Sequence, residues 1–163
     1  SSCSIGAPSR ITRSGVIASV HASFSLSQAE MTSRIIRAIS NPHVTILGHL
    51  TGRMLLTRDA YDIDIPAIID AAAATGTIIE LNGSPRRLDM DWRWIDYAME
   101  KGLLLSINPD AHALEEFPYL KYGTLVAQKG GLTAARNLSS FSLAEFENFL
   151  AETRKKKLAI SNG

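Results

Sequence analysis

The 163-residue chain has a single cysteine, Cys3, so it can form no internal disulfide, and thiolate metal clusters are excluded. Cys3 reads as a free surface thiol, which fits a reducing compartment. Neither sign of charge is in excess. Seventeen Lys and Arg stand against sixteen Asp and Glu, for a net charge of +1, so no global field draws the chain to nucleic acid, to a membrane or to an acidic partner. Any basic surface must be local. Long apolar runs are also missing: stretches such as Leu103–Leu105 are far too short to span a bilayer, and the first residues lack the apolar stretch of a signal peptide. The expectation is a cytoplasmic protein with no membrane partner.

What the chain does have is a regular alternation of short apolar runs and capped helical segments. Residues 1–14 carry Gly, Pro and serines without apolar periodicity and read as a disordered leader. Val16–His21 then reads as a strand, and Ser27–Ile39 as a helix opened by the capping box Ser27-x-x-Glu30 and stopped by Asn41-Pro42. Val44–Gly48 is a second strand. A helix follows that Asp64 can cap, with Pro66 in its first turn and Gly76 past its end. Thr77–Leu81, a helix from Asp91 to about Lys101 and Leu103–Ile107 continue the pattern, and Thr124–Ala127 reads as a fifth short strand. A terminal helix is expected from Ser142 to about Arg154, with Lys155–Lys157 as a solvated basic end and 158–163 as a tail. Apolar rather than alternating strands imply a parallel sheet covered by helices, the α/β class, either as a barrel or as a doubly wound sheet.

His21, His49, Glu80 and Asp110 each fall at or just after the end of an expected strand, at intervals of 28, 31 and 30 residues. That is one βα unit per step, and residues at the carboxyl ends of successive parallel strands converge on one rim. Imidazoles and carboxylates suit zinc, manganese or iron, and Asp110-Ala-His112 puts two such groups on one side of an extended segment. A metal so held activates water and neutralises phosphoryl charge, so phosphoester hydrolysis is the natural chemistry. His43, in the turn after Asn41-Pro42, reads as structural or solvated.

The segments SVHASF at 19–24, NPHVTILGHLTGRMLL at 41–56, AAAATGTIIELNGSPRRLDMDWR at 71–93, LSINPDAH at 105–112 and LKYGTLVAQKGGLT at 120–133 resemble the C-terminal PHP (polymerase and histidinol phosphatase) domain of bacterial family X DNA polymerases. SVH, GH and DAH match PHP phosphatases broadly, whereas the stretch from Thr51 to Arg93 resembles the polymerase branch. The resemblance implies a distorted (βα)7 barrel with parallel strands and outer helices, a manganese or zinc centre and a 3′-to-5′ exonuclease acting on DNA ends. By the resemblance His21, His49, Asp110 and His112 are metal ligands, while Asp110, His112 and Glu80 belong to the catalytic set and Asn82 to the rim. Leu50 stands where the family usually has proline and Ala22 where it often has serine; neither is a ligand.

The family's first barrel half and its polymerase domain have no counterpart in these residues. Residues 15–157 are therefore expected to be the C-terminal portion of a PHP domain, with an incomplete metal site, little activity alone and the missing half as partner. Val16–His21 is expected to present an unpaired edge through which copies self-associate. Arg53, Arg58, Arg86 and Arg87 are the candidate contacts to single-stranded DNA or a DNA 3′ end; otherwise they are solvated or pair with Asp89 and Asp91. Trp92 and Trp94 are expected in core packing rather than base stacking. Two other functions remain open: a stand-alone phosphatase of a small phosphomonoester, and a non-catalytic remnant.

Overall fold

The computed structural model describes residues 15–161; the expected leader at 1–14, with Cys3, lies outside the described residues, as do the last two residues of the expected tail. Four strands, β1 (Val16–Ala18), β2 (Val44–Leu47), β3 (Ile78–Asn82) and β4 (Leu105–Asn108), form one parallel sheet in the order β1-β2-β3-β4. Between them run α1 (Gln28–Ser40), α2 (Ile65–Thr75) and α3 (Ile95–Glu100), followed by α4 (Leu120–Lys129) and α5 (Leu143–Ser161). Because the strand order never reverses, right-handed crossovers place successive helices on one side of the sheet, as in a sector of a βα barrel. A doubly wound sheet would reverse.

Alternation along the strands sets the two faces. Leu47, Ile79, Leu81, Leu105 and Ile107 face the helices and share one core with Met31, Ile35 and Ile39 of α1, Ile68, Ile69 and Ala72 of α2, and Ile95 and Ala98 of α3. Each fully buried side chain of this size contributes about 1.5–3 kcal/mol. On the opposite face Ile46 and Ile78 pack with Leu138, Phe141, Phe146 and Phe149, so α5 covers the lower part of what would be the barrel interior. Above them the same face turns polar at Glu80, Asn82, Ser106 and Asn108.

The caps read from sequence form as expected. Ser27 and Glu30 close a reciprocal box at α1, Asp64 accepts from the Ala67 amide at α2, and Gly76 ends α2 at φ 75°. A Cβ there would be strained and would stand 3.3 Å from Thr153.

Four elements differ from expectation. β1 ends at Ala18 rather than His21, because the Ala18 carbonyl takes the Gly48 amide and the chain then turns away. The segment from Asp91 begins as a short 3-10 helix, Trp92–Trp94, before α3, and both tryptophans pack half-buried against the main core. Thr124–Ala127 is helical, lying inside α4: its β-favouring residues are overridden because Gly123 and Ala127, one helical turn apart, are the buried positions. α5 runs past Arg154 to Ser161, and Lys157 is not a solvated end. Its ammonium is buried and donates to Ile39 O (2.8 Å), Val44 O (2.5 Å) and Thr77 Oγ1 (2.6 Å), with Asn41 O at 3.4 Å. α5 is thereby pinned to the end of α1 and the starts of β2 and β3.

Among the described residues β1 pairs with β2 alone, as the expected edge requires, and Val16 and Ile17 are exposed. No helix of the described residues is long and apolar enough to cross a membrane.

Candidate active site at the carboxyl ends of the strands

Two residues of the site stand just beyond a strand, while Glu80 lies inside β3 and His21 on the loop after β1. His49 follows β2, is buried and holds a backbone φ of 28°; Asp110 follows β4 at φ 54°. Left-handed backbone at residues other than glycine is costly, and at two strand ends together it marks a constrained site. The His49 amide donates to Glu80 Oε1 (3.1 Å), while Glu80 Oε1 and Oε2 also accept from the side-chain amides of Asn82 and Asn108, both at 2.9 Å. Ser106 Oγ supports Asn108 at 3.0 Å. Glu80 is therefore a positioning residue: its carboxylate is buried and occupied in fixing the turn that carries His49. Removing that acceptor in Glu80→Ala should cost about 2–3 kcal/mol, because one backbone and two side-chain donors lose their partner. A urea denaturation midpoint unchanged by Glu80→Ala would remove this role.

His49 Nδ1 is buried and has no hydrogen-bond partner among the described residues. Burial, then the charge of Arg87, push the imidazole below its ordinary pKa, so the ring is neutral and carries a lone pair. The His21 ring meets it edge-on with centroids 5.2 Å apart, and His21 Nε2 lies 2.7 Å from Ser19 Oγ. Asp110 acts on His49 electrostatically, and its Oδ2 takes Arg87 Nε at 3.1 Å.

His112 does not join them. It is exposed, with Nδ1 2.8 Å from the Asp110 carbonyl oxygen and its amide donating to Glu116. Of the four residues on the thirty-residue register, His21 meets His49 ring to edge, Asp110 acts on His49 by its charge, and Glu80 holds the His49 amide. No three His, Cys, Asp or Glu of the described residues already stand as a metal-binding group.

The arginines divide in the same way. Arg53 is spent internally on the carbonyls of Arg87 and Leu88 and on Asp91 (3.2 Å). Arg58 donates twice to Gly52 O and covers the Phe24 ring at 4.6 Å. Arg87 pairs with Asp110, and only Arg86 is exposed with a guanidinium that makes no hydrogen bond or ion pair among the described residues. His43 lies exposed in its turn, its amide on Asn41 Oδ1.

Sequence reading missed Asn108, and offered Asp89 only as a partner for the arginines. The signal for Asn108 was present, in polar residues at alternate positions 106 and 108 of an otherwise apolar strand. Asp89 is fully buried, accepts from the Thr51 amide at 2.9 Å and has Oδ1 unpaired among the described residues; burial raises it from 3.8 to about 6. A folded pKa above the unfolded one means the fold prefers the protonated acid. The contribution is full below pH about 4 and is lost as pH rises through about 6, on the order of 2–3 kcal/mol. Asp89→Asn should flatten stability across that window, as read by denaturation at pH 4 to 7; a wild-type curve with no fall there would contradict the assignment.

The chain matches the DNA polymerase/3′-5′ exonuclease PolX of Bacillus subtilis (strain 168) at 40% identity over 135 residues, which is 83% of this chain and 24% of that protein. This chain is a relative of the C-terminal PHP domain of bacterial family X DNA polymerases. Probable phosphatases of Thermoanaerobacter sp. (strain X514) and Thermoanaerobacter pseudethanolicus (strain ATCC 33223 / 39E) match at 29% over 131 residues, 77% of this chain and 51% of each. No protein-family model matches. The chain thus spans about a quarter of the polymerase and half of the phosphatases. The names of both kinds of relative denote cleavage of phosphoester bonds, which supports a PHP phosphoesterase module.

Proposed function

We propose that the chain is a divalent-metal phosphoesterase module acting on DNA 3′ ends. The observation that carries this reading is His49 Nδ1: a buried nitrogen with no hydrogen-bond partner among the described residues, on a neutral ring that His21 meets edge-on and that the Asp110 charge reaches. A donor set of two imidazoles and a carboxylate suits manganese or zinc. His21, His49 and Asp110 would hold the ion, with His112 on the Asp110 loop. Once bound, the ion supplies Lewis acidity toward a phosphoryl oxygen and lowers the pKa of water.

The chain's own groups do the rest. Glu80 fixes the His49 turn, and Asp89 holds the Thr51 amide one step further on. Arg87 lies against Asp110, where a guanidinium can face a phosphate, and Arg86 is free to take the neighbouring one. DNA is favoured over a small ester by the 40% identity to a protein named as an exonuclease. The match to probable phosphatases supports a second reading, hydrolysis of a small phosphomonoester.

One experiment separates them: incubate the chain with manganese and either a 3′-labelled single-stranded oligonucleotide or p-nitrophenyl phosphate. Release of labelled mononucleotide, lost in His49→Ala, is the expected result. Hydrolysis of the small ester alone would favour the second reading, and neither reaction together with no metal uptake would leave a non-catalytic remnant.

A further inference from the structure

The turn that follows His49 carries an apolar side chain where folding has no use for one. Met54 and Arg58 form an antiparallel bridge, with hydrogen bonds of 2.8 Å in both directions, and the Thr57 amide closes on Met54 O at 3.0 Å. The Leu55 amide ties the turn to Arg86 O at 2.6 Å. Its base is equally fixed: Gly52 lies so close to Tyr61 that a Cβ would fall 2.2 Å from the ring, and the Tyr61 hydroxyl donates to Leu50 O.

At the tip of this rigid hairpin Leu56 is 106% exposed and sits at φ 66°. Left-handed backbone at a leucine costs roughly 1–2 kcal/mol, and an exposed leucine gives up its burial energy as well. The fold therefore holds a strained, apolar tip in water. Residues 53–60 curve around an open hollow of about 480 Å³ beneath it. The loop runs to the metal corner through Arg53, whose guanidinium holds Arg87 O, and Arg87, which holds Asp110.

We propose that the Met54–Arg58 turn is a wedge on which an unstacked base of single-stranded DNA packs, with Leu56 as the contact and Arg86 on the adjoining phosphate. This rests on the DNA reading above and adds how the substrate strand is held. One protruding leucine is too small for a protein interface, which needs some 800 Å² on each partner. It suits a base face, which apolar side chains engage where stacks are opened. Charge agrees: Asp59 follows Arg58 and repels a phosphate on that arm, whereas Arg86, whose guanidinium makes no hydrogen bond or ion pair among the described residues, lies beside the Leu55 arm.

The test compares binding of a short labelled oligothymidylate with that of an abasic strand of the same length, by fluorescence anisotropy. The wild type should prefer the strand with bases by about tenfold, the worth of one packed base. Leu56→Ser, at a fully exposed position, should leave the thermal transition in place and erase the preference. Arg86→Ala should weaken both strands and flatten the salt dependence.

Equal binding of the two strands by the wild type, or a preference that survives Leu56→Ser, overturns the wedge. If Leu56→Ser instead changes only the sedimentation of the chain, the tip contacts a second copy and the wedge is again overturned. Nuclease activity without base preference removes the wedge alone, whereas absence of both binding and nuclease activity removes the DNA reading with it.

Discussion

Lys157→Met should lower the unfolding free energy of the chain by about 3 kcal/mol or more, a large part of the ~5–15 kcal/mol that holds a typical domain. The ammonium lies among the carbonyls of Ile39, Asn41 and Val44 and the hydroxyl of Thr77, so removing it strands several buried acceptors at once. Met fills the same volume, which separates the lost hydrogen bonds from a cavity effect. Burial pushes the ammonium down to about 8, while the surrounding oxygens favour the charged form. With its folded pKa below the unfolded 10.5, the cost of burying the charge is present below pH 8 and is relieved as pH rises toward 10.5. Denaturation at pH 7 and pH 10 reads both effects: the gap between wild type and Lys157→Met is large at either pH, and the rise with pH is absent in the variant. A variant within 0.5 kcal/mol of wild type would show that α5 is not anchored there.

The second large effect concerns the proposed metal corner. His49→Ala and Asp110→Asn should each reduce manganese-dependent phosphodiester cleavage by on the order of 100-fold or more, about 3 kcal/mol of transition-state stabilisation. Both positions already carry a Cβ on left-handed backbone, so the replacements remove a ligating group without adding a new steric demand there. The folded state should survive both, because neither side chain is packed as Lys157 is: Asp110 is only half-buried, and His49 Nδ1 has no hydrogen bond to lose. The Glu80 substitution supplies the contrast, since it removes the support rather than the ligand and should cost stability together with activity. His112→Ala bears on whether that exposed ring moves in. A loss as large as that of Asp110→Asn would mean that the Asp110–His112 loop closes on the ion.

Much of this was readable before any coordinates. The βα alternation rests on local signals that folding seldom overrides: the box at Ser27 and Glu30, the Asp64 cap, the left-handed Gly76 and apolar strands buried on both faces. Of the four residues on the thirty-residue spacing, His49 and Asp110 fall just beyond their strands, while Glu80 lies inside β3 and His21 stands three residues past the end of β1. The spacing could not foresee side-chain direction, and Glu80 points into the amides of Asn82 and Asn108 because these share its face of the sheet.

Direction also escaped at the arginines. Arg53 and Arg58 look like phosphate ligands in sequence, yet the tight turns beside them leave unpaired carbonyls that their guanidiniums fill. Lys157 was least legible of all. A basic run at a chain end reads as solvated, and only long-range packing reveals that one of its three lysines faces α1 and the sheet. At Thr124–Ala127 local β preference lost to the buried spacing of a helix.

The proposal that His21, His49 and Asp110 form a metal corner is tested most directly by calorimetric titration of manganese into the purified chain. Saturable uptake should be seen in the wild type and be abolished in the double variant His49→Ala, Asp110→Asn, with the thermal transition of the variant unchanged. Uptake that persists in that variant, or none in a folded wild type, would place the metal elsewhere or nowhere in this chain.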